Sequence, residues 1–526
     1  MAESTPVVWL DGKQSAGQPF LRLSALDNVA VALRTLKPGE VFDMPAVDGQ
    51  SSPSLTIAER IMKGHKIALA DMETGCRVLK YAQLIGLASQ AIKAGEQVHT
   101  HNLSFTNNDT AHARKTDLQQ TVVNCTDSFQ GYKRADGRCG TRNYIAVISS
   151  VNCSATVAHR IAAAFQDGAL DNYNNVDGVA AFTHGTGCGM DSASEGFENL
   201  QRVLAGYARH PNVGAVLIVG LGCETSQIAG TLESHKLASG PLLRTMNIQT
   251  TGGHVKTIER GVELITSMLD EVNAIERQPC AASELTLALQ CGGSDAWSGI
   301  TANPALGYAA DLLTQQGGTV VLAETPEIYG AEHLLTQRAA SDDVADELMQ
   351  RISWWQEYVK RNNGSLDNNP SPGNKLGGLT TILEKSLGAV AKGGTTPLNG
   401  VFRYAQQLDA RGFVFMDSPG YDPASVTGQI ASGCNLVAFT TGRGSTFGSK
   451  PAPCMKIATN TDMYRQLSDD MDINAGTIVS DGDSVKDVGE RIYQYLLSMA
   501  SGAITLSEKH GLGDNEFVPW QIGATM

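Results

Sequence analysis

No apolar run in this 526-residue chain is long enough to span a membrane, which excludes a helical membrane protein. The first residues, MAESTPVVWLDGK, lack both a basic head and an apolar core, so they do not read as a secretion signal. Positive charge is in deficit. A formal net charge of -14 argues against non-specific nucleic-acid binding, yet leaves room for an anionic small molecule held by a few local Arg and Lys residues. The ten cysteines show no framework spacing, which fits reduced thiols in the cytoplasm better than disulfides. GTGCGM and GLGCE approach nucleotide-binding glycine patterns, but neither has the Rossmann spacing and neither resembles a P-loop, so nucleotide binding has little support. Histidine is scarce too, at 11 residues. What remains is an ordinary globular composition, 42% hydrophobic, in a chain long enough for about three domains.

The texture along the chain divides it. Residues 1–103 are strand-rich, with short strands expected at Asn28 to Leu33, His65 to Ala70 and Arg77 to Tyr81. LKPGEV (Leu36 to Val41) is echoed by IKAGEQV (Ile92 to Val98), and Gly before Glu is tight-turn chemistry. Residues 104–128 are polar and aperiodic, and read as a linker. From residue 129 strands and helices alternate, which predicts α/β architecture. Tyr144 to Ser149 reads as a strand; Val157, Ile161 and Phe165 mark a helix face, and a long amphipathic helix closes a second domain at residue 277. A third domain, 278–526, has expected strands at Leu285 to Leu289, Thr319 to Ala323, Gly412 to Met416, Leu436 to Thr440 and Thr477 to Ser480. Its last helix starts at a Ser484 N-cap.

Cys188, Cys223 and Cys291 each sit in a glycine-rich turn straight after an apolar run that reads as a buried parallel strand. Open α/β sheets bind ligands at the carboxyl ends of their strands. Three thiols there would suit iron or zinc and leave a coordination position free; the structural alternative is that small cysteines fill tight junctions. Cys76, Cys125, Cys139, Cys153, Cys280, Cys434 and Cys454 read as structural. His99 and His101 in VHTHN would share one face of a strand, a usable metal-ligand pair. His65 and His184 are candidate bases or ligands, and Glu224 and Asp295 candidate acid/base or supporting groups. Gly-rich loops present Lys375 (NPSPGNKLGG) and Arg443 (FTTGRGS), suited to gripping a carboxylate. Ser294 and Asn303, in QCGGSDAWSG and TANPALG, are further substrate contacts of the same turns.

The same segments resemble the altronate/galactarate dehydratase family of sugar-acid hydro-lyases. The likeness runs through GHKIALADMETGCRVLKYAQLIG, VHTHNL, GYKRADGRCGTRNYIAV, THGTGCGM, GLGCE, QCGGSDAWSGITANPALGYAADLL, NPSPGNKLGG, SPGYDPASVTGQIASGCNLVAFTTGRGS and MDINAGTI, nearly the whole chain. VHTHNL and the SPGYDP…GCNL segment look more like altronate than galactarate dehydratases. The resemblance implies a small N-terminal β-clip (SAF-like) module followed by two open α/β domains. The reaction it implies converts a sugar acid to a 2-keto-3-deoxy acid. It also implies iron, as Fe2+ or an iron–sulfur cluster, with Mn2+ as a substitute. Chemically, a base must take the C2 proton, a Lewis acid must hold the carboxylate or leaving hydroxyl, and donors must face the growing enediolate. The thiolates of Cys188, Cys223 and Cys291 are the favoured iron ligands and His65, His99 and His101 the alternative. In that scheme the β module is a lid with a histidine as base, and Asp295 and His184 are other proton movers. Galactarate, another aldonate or aldarate, or a sulfonated hydroxy acid with sulfite as leaving group are competing substrates. A non-catalytic sugar-acid-binding protein is the competing class. A small-molecule partner, no nucleic acid, no membrane and a possible homo-oligomer complete the expectation.

Overall fold

A computed structural model describes residues 19–43, 54–106, 118 and 120–523. Of the expected linker, 104–128, residues 107–117 and 119 lie outside the described residues. Its described end is tied down: Asn124 N donates to Gln315 O at 2.7 Å, and Thr126 and Asp127 amides both donate to Gln316 Oε1.

The first module is built of strands two to six residues long, among them Val29–Ala32, Lys66–Ala68 and Gln83–Ala88. The echoed turns explain the shortness. Gly39 and Gly95 sit at φ 85° and 86°, and a Cβ on Gly95 would lie 1.9 Å from Thr56 O, so only glycine fits there.

The second domain carries a four-stranded parallel sheet of β1 (Tyr144–Ser149), β2 (Gly178–Phe182), β3 (Val213–Gly220) and β4 (Leu243–Asn247), in the order β2-β1-β3-β4. Helix α1 (Ala155–Ala163) packs against the long α3 (His254–Asn273), where Ile161 reaches Gly261; α2 (Glu195–Ala208) covers the other face.

The third domain is a seven-stranded, all-parallel sheet: β5 (Thr286–Cys291), β6 (Thr319–Ala323), β7 (Leu398–Phe402), β8 (Gly412–Met416), β9 (Leu436–Thr441), β10 (Cys454–Ala458) and β11 (Ile473–Asn474), in the order β7-β8-β6-β5-β9-β10-β11. Helices cover it, including α4 (Ala302–Gln315), α5 (Ile382–Val390), α6 (Asp422–Ser432) and α7 (Val485–Ala500). The Ser484 cap is present as a full capping box with Asp487. One expectation is corrected. Thr477–Ser480 is a single helical turn, because Asn474 caps the preceding Gly476 amide and folds the β-branched run inward. At the passage into the third domain, Arg277–Ala281 pairs with Ser128–Lys133 in a small sheet.

The first module is clamped to the third domain. Lys66 and Lys80, both fully buried, meet the same carboxylate: Lys66 Nζ lies 2.8 Å from Glu384 Oε2 and Lys80 Nζ 2.8 Å from Oε1. Lys66 also donates to Gly378 O, and Thr381 Oγ1 to Ile85 O. Among the described residues no helix is long and apolar enough to cross a membrane.

Candidate active site

Strand order creates the crevice. The chain leaves β5 for β6 on one side and later returns to β9 on the other, so the turns after β5 and β9 diverge at a topological switch point, where such sheets bind ligands. Their backbones stay coupled: the Gly442 and Arg443 amides both donate to Gly293 O. Gly292 forms the floor. A Cβ there would stand 2.3 Å from Asp422 Oδ2 and 2.5 Å from Phe439 Cζ. Gly292→Ala is therefore expected to keep the fold but displace Asp422, losing most of the activity, as circular dichroism and a turnover assay on one sample would show.

On one side of Gly292 lies a buried charge cluster. Glu327 carries Lys385 at 2.5 Å and Lys392 at 3.7 Å. Burial opposes its charge, but those two cations hold it down at about 2. Glu324, also buried, is pushed well above the carboxylate range by burial and by Glu327, and keeps its proton. It begins the turn after β6 with φ 69°, a left-handed conformation that costs a non-glycine residue about 1 kcal/mol or more and gathers at functional sites. Gln290 Nε2 donates to Glu324 Oε1, and its amide also reaches Asp422. Asp422 opens α6; burial, then the Glu327 charge, lift it to about 7.

On the other side are the sequence-derived candidates. Asp295 is buried and accepts from the Trp297 and Ser298 amides, Thr459 Oγ1 at 3.0 Å and Asn460 Nδ2 at 3.1 Å, so it organises the turn. Burial raises its pKa. Ser294 Oγ is buried without a partner, and Ser294 O accepts from Asn374, the residue before Lys375. The Arg443 side chain is exposed and makes no hydrogen bond or ion pair with the described residues. Lys375 is half-buried. His65 and His99 stack at 5.1 Å between ring centroids, and their Nε2 atoms donate to Leu376 O (3.3 Å) and Lys375 O (2.9 Å). Burial, then the Lys66 charge, push both down, His99 to about 4, so both are neutral at physiological pH.

Several expectations change. His99 and His101 do not share a strand: residues 99–102 form a turn closed by Asn102 N on His99 O, which leaves His101 exposed and pairs His99 with His65 instead. The β module is therefore not a free lid; its histidines are hydrogen-bonded to the Lys375 loop. Asn303 is consumed by packing, its Nδ2 on Gly388 O and its Oδ1 under Thr440 Oγ1. Cys291 does not join Cys188 and Cys223. It is buried in the third domain against Lys392 Nζ at 2.8 Å, and burial, with Glu327 beside it, pushes the thiol up to about 12, so it is a neutral thiol rather than a ready thiolate. Cys188 and Cys223 are exposed in the second domain. Among the described residues no three His, Cys, Asp or Glu side chains stand where one ion could be held. His184 and Glu224 lie with them, both engaged in the loops: His184 Nε2 donates to Ser149 O, and Glu224 accepts from Ser150 Oγ and the Leu221 and Gly222 amides. Burial lowers His184 to about 4.

Sequence reasoning missed Asp422, Glu324, Glu327, Lys385 and Lys392. SPGYDP pointed at Asp422 as a Pro/Gly turn at a strand end. Glu324 and Glu327 were legible only as ETPEIYG directly after the buried strand TVVLA.

A parallel α/β sheet with a neutral carboxyl, buried cations and an exposed guanidinium at its switch point has the make-up of an enzyme acting on an anion. The sequence matches three family models end to end: the altronate/galactarate dehydratase SAF domain over residues 18–106, the D-galactarate dehydratase/altronate hydrolase second domain over 131–273, and the D-galactarate/altronate dehydratase C-terminal domain over 282–525. It is 33% identical over 512 residues to altronate dehydratase of Bacillus subtilis strain 168, covering 96% of this chain and 99% of that one. It is 34% identical over 509 residues to altronate dehydratase of Escherichia coli K12, with 96% and 100% covered. Galactarate dehydratase (L-threo-forming) of the same bacterium is 34% identical over 506 residues, with 94% and 95% covered. The chain belongs to the altronate/galactarate dehydratase family and is a hydro-lyase, with a SAF domain at its N-terminus and two α/β domains behind it.

Proposed function

We propose that this hydro-lyase dehydrates a C6 aldonate, altronate before galactarate, to the 2-keto-3-deoxy acid at the crevice between Asp422 and Arg443. The observation that carries the reading is the strip Asp422–Gly292–Gly293–Arg443. It joins a carboxyl that titrates near neutrality to an exposed guanidinium that makes no ion pair among the described residues. Arg443 and Lys375 grip the substrate carboxylate. Asp422, ionised, takes the C2 proton, which a group of pKa about 7 does efficiently at neutral pH. Lys385 and Lys392 stabilise the enediolate. Glu324, protonated and in electrostatic contact with Asp422, gives its proton to the departing C3 hydroxyl. Water leaves, and the enol becomes the ketone.

Cys291, His65 and His99, three of the residues first read for iron, do not fit it. Cys291 is a neutral thiol bound to Lys392, and the Nε2 atoms of His65 and His99 already donate to backbone carbonyls. The preference for altronate rests on VHTHNL and the SPGYDP…GCNL segment.

Product formation from altronate and from galactarate, measured as 2-keto-3-deoxy acid, tests this reading. It expects kcat/KM at least tenfold higher for altronate; the reverse ratio would move the substrate, and turnover of neither would remove the reaction. Arg443→Ala is expected to raise KM for the sugar acid about 10- to 100-fold, the loss of one charge-assisted contact, with thermal stability unchanged because the exposed side chain makes no hydrogen bond or ion pair with the described residues. Saturation kinetics beside a melting curve checks both halves.

A further inference from the structure

A cavity of about 590 Å3 opens between the second and third domains, and none of Asp422, Gly292, Lys375 and Arg443 lines it. Small-molecule sites of this size favour domain junctions, with aromatic walls and a few polar groups. The second-domain wall is the first turn of α2, where Ser194 caps the helix by accepting from the Phe197 amide. The third-domain wall is aromatic. Trp354 and Tyr358, on the helix Asp342–Arg361, stack at 4.8 Å between ring centroids with 15° between planes. Tyr358 thus covers one face of the half-buried Trp354. Trp355 and Trp520 meet that indole edge-on, so among the described residues no second ring stacks on it.

Polar groups are left over around these rings. Glu195 lines the cavity and makes no ion pair among the described residues. Arg361, on the opposite wall, spends only its Nε on a backbone carbonyl, Glu357 O at 3.3 Å. Trp520 lines the cavity too, and its buried Nε1 has no hydrogen-bond partner among the described residues. An indole face, a carboxylate and a guanidinium together suit a polyhydroxy acid in ring form. The ring's C–H face lies on the indole, its hydroxyls donate to Glu195 and its carboxylate meets Arg361.

We propose that this cavity is a second, non-catalytic site that binds the cyclic form of the 2-keto-3-deoxy acid product and slows turnover when filled, an inference that rests on the dehydration proposed above. Substrate and product share hydroxyls and a carboxylate, but only the product forms such a ring. Its C6 hydroxyl oxygen adds to the C2 ketone: the O–C2 bond forms, the carbonyl π bond breaks, and the hydroxyl proton ends on the former ketone oxygen. No atom is lost, and the C3 methylene widens the apolar face of the six-membered hemiketal. An aldonate has no ketone and stays open. The cavity wall also reaches the crevice. Trp520 stacks on Trp355 at 5.5 Å with 4° between planes, and Trp355 Nε1 donates to Asp417 Oδ1 at 2.7 Å. Thr325 Oγ1 donates to the same oxygen at 2.6 Å, and Thr325 directly follows Glu324, whose amide donates to Ser418 Oγ. A ligand against Trp520 therefore bears on the turn that holds Glu324.

Calorimetric titration of the full chain with the 2-keto-3-deoxy acid tests this, and two sites are expected. Arg361→Ala should weaken one of them about tenfold or more, the loss of a charge-assisted contact, and Arg443→Ala should weaken the other. Altronate titrated into the Asp422→Asn variant should fill the crevice alone; altronate binding that Arg361→Ala weakens would make the substrate the occupant and overturn the product assignment. In steady-state assays the product should inhibit the wild type noncompetitively against altronate. Arg361→Ala should keep the uninhibited kcat and show competitive inhibition only. A single product site, lost in Arg443→Ala and unchanged in Arg361→Ala, would overturn the proposal. Absence of altronate turnover beside intact Arg361-dependent binding would remove the proposed reaction and still support the site.

Discussion

Asp422→Asn is expected to lower turnover on the preferred sugar acid about 10²- to 10⁴-fold, the range that general acid–base groups contribute. It should also make the protein more stable above neutral pH. The two effects come from one cause. An ordinary Asp ionises near 3.8, whereas burial and the Glu327 charge lift Asp422 to about 7. Between those values the folded chain binds a proton that the unfolded chain has released. The stabilisation this group contributes is therefore complete below about pH 4 and lost as pH rises through 7. Asparagine never ionises, so at pH 8 the variant escapes that loss and its melting temperature rises. In the wild type kcat should climb through about pH 7 as Asp422 ionises; the variant should lack that limb. A variant that loses activity and stability together would make Asp422 a packing residue instead.

The second large effect is structural. Glu384→Ala leaves the ammonium groups of Lys66 and Lys80 buried without their shared carboxylate. Removing one partner of a buried ion pair costs about 3–5 kcal/mol. The expected result is a urea midpoint lowered accordingly and early proteolysis of the first module, which is held to the third domain by these contacts. Replacing all three together, Lys66→Met, Lys80→Met and Glu384→Leu, should recover much of the loss, because an apolar trio strands no charge. Equal midpoints for Glu384→Ala and wild type would show that the module docks by other means.

Much of the fold was legible locally. Tyr144–Ser149 is a strand as its apolar run implied, the Ser484 cap starts its helix, and Gly39 and Gly95 turn the chain where the echoed motif required. β7 and β10 were missed because their runs, LNGVF and CMKIA, are short and mixed. The site was legible only in part. Sequence spacing marks strand ends, but strand order decides which ends are neighbours. Cys291 looked equivalent to Cys188 and Cys223 until the order of two separate sheets divided them. Buried charges were the other blind spot: Lys66, Lys80, Lys392 and Glu327 carry no motif that singles them out in the sequence, and only tertiary burial gives them their partners and shifted protonation.

Twice in successive residues the interior sets two ammonium groups against one carboxylate: Lys66 and Lys80 around Glu384, then Lys385 and Lys392 around Glu327. Burial, opposed by Glu384, brings Lys66 down to about 8. A chain whose net charge is -14 thus keeps a surplus of cation at its centre. The pair around Glu327 also acts on Asp422, so the crevice holds a standing positive field that helps most at the moment when charge on a substrate is greatest.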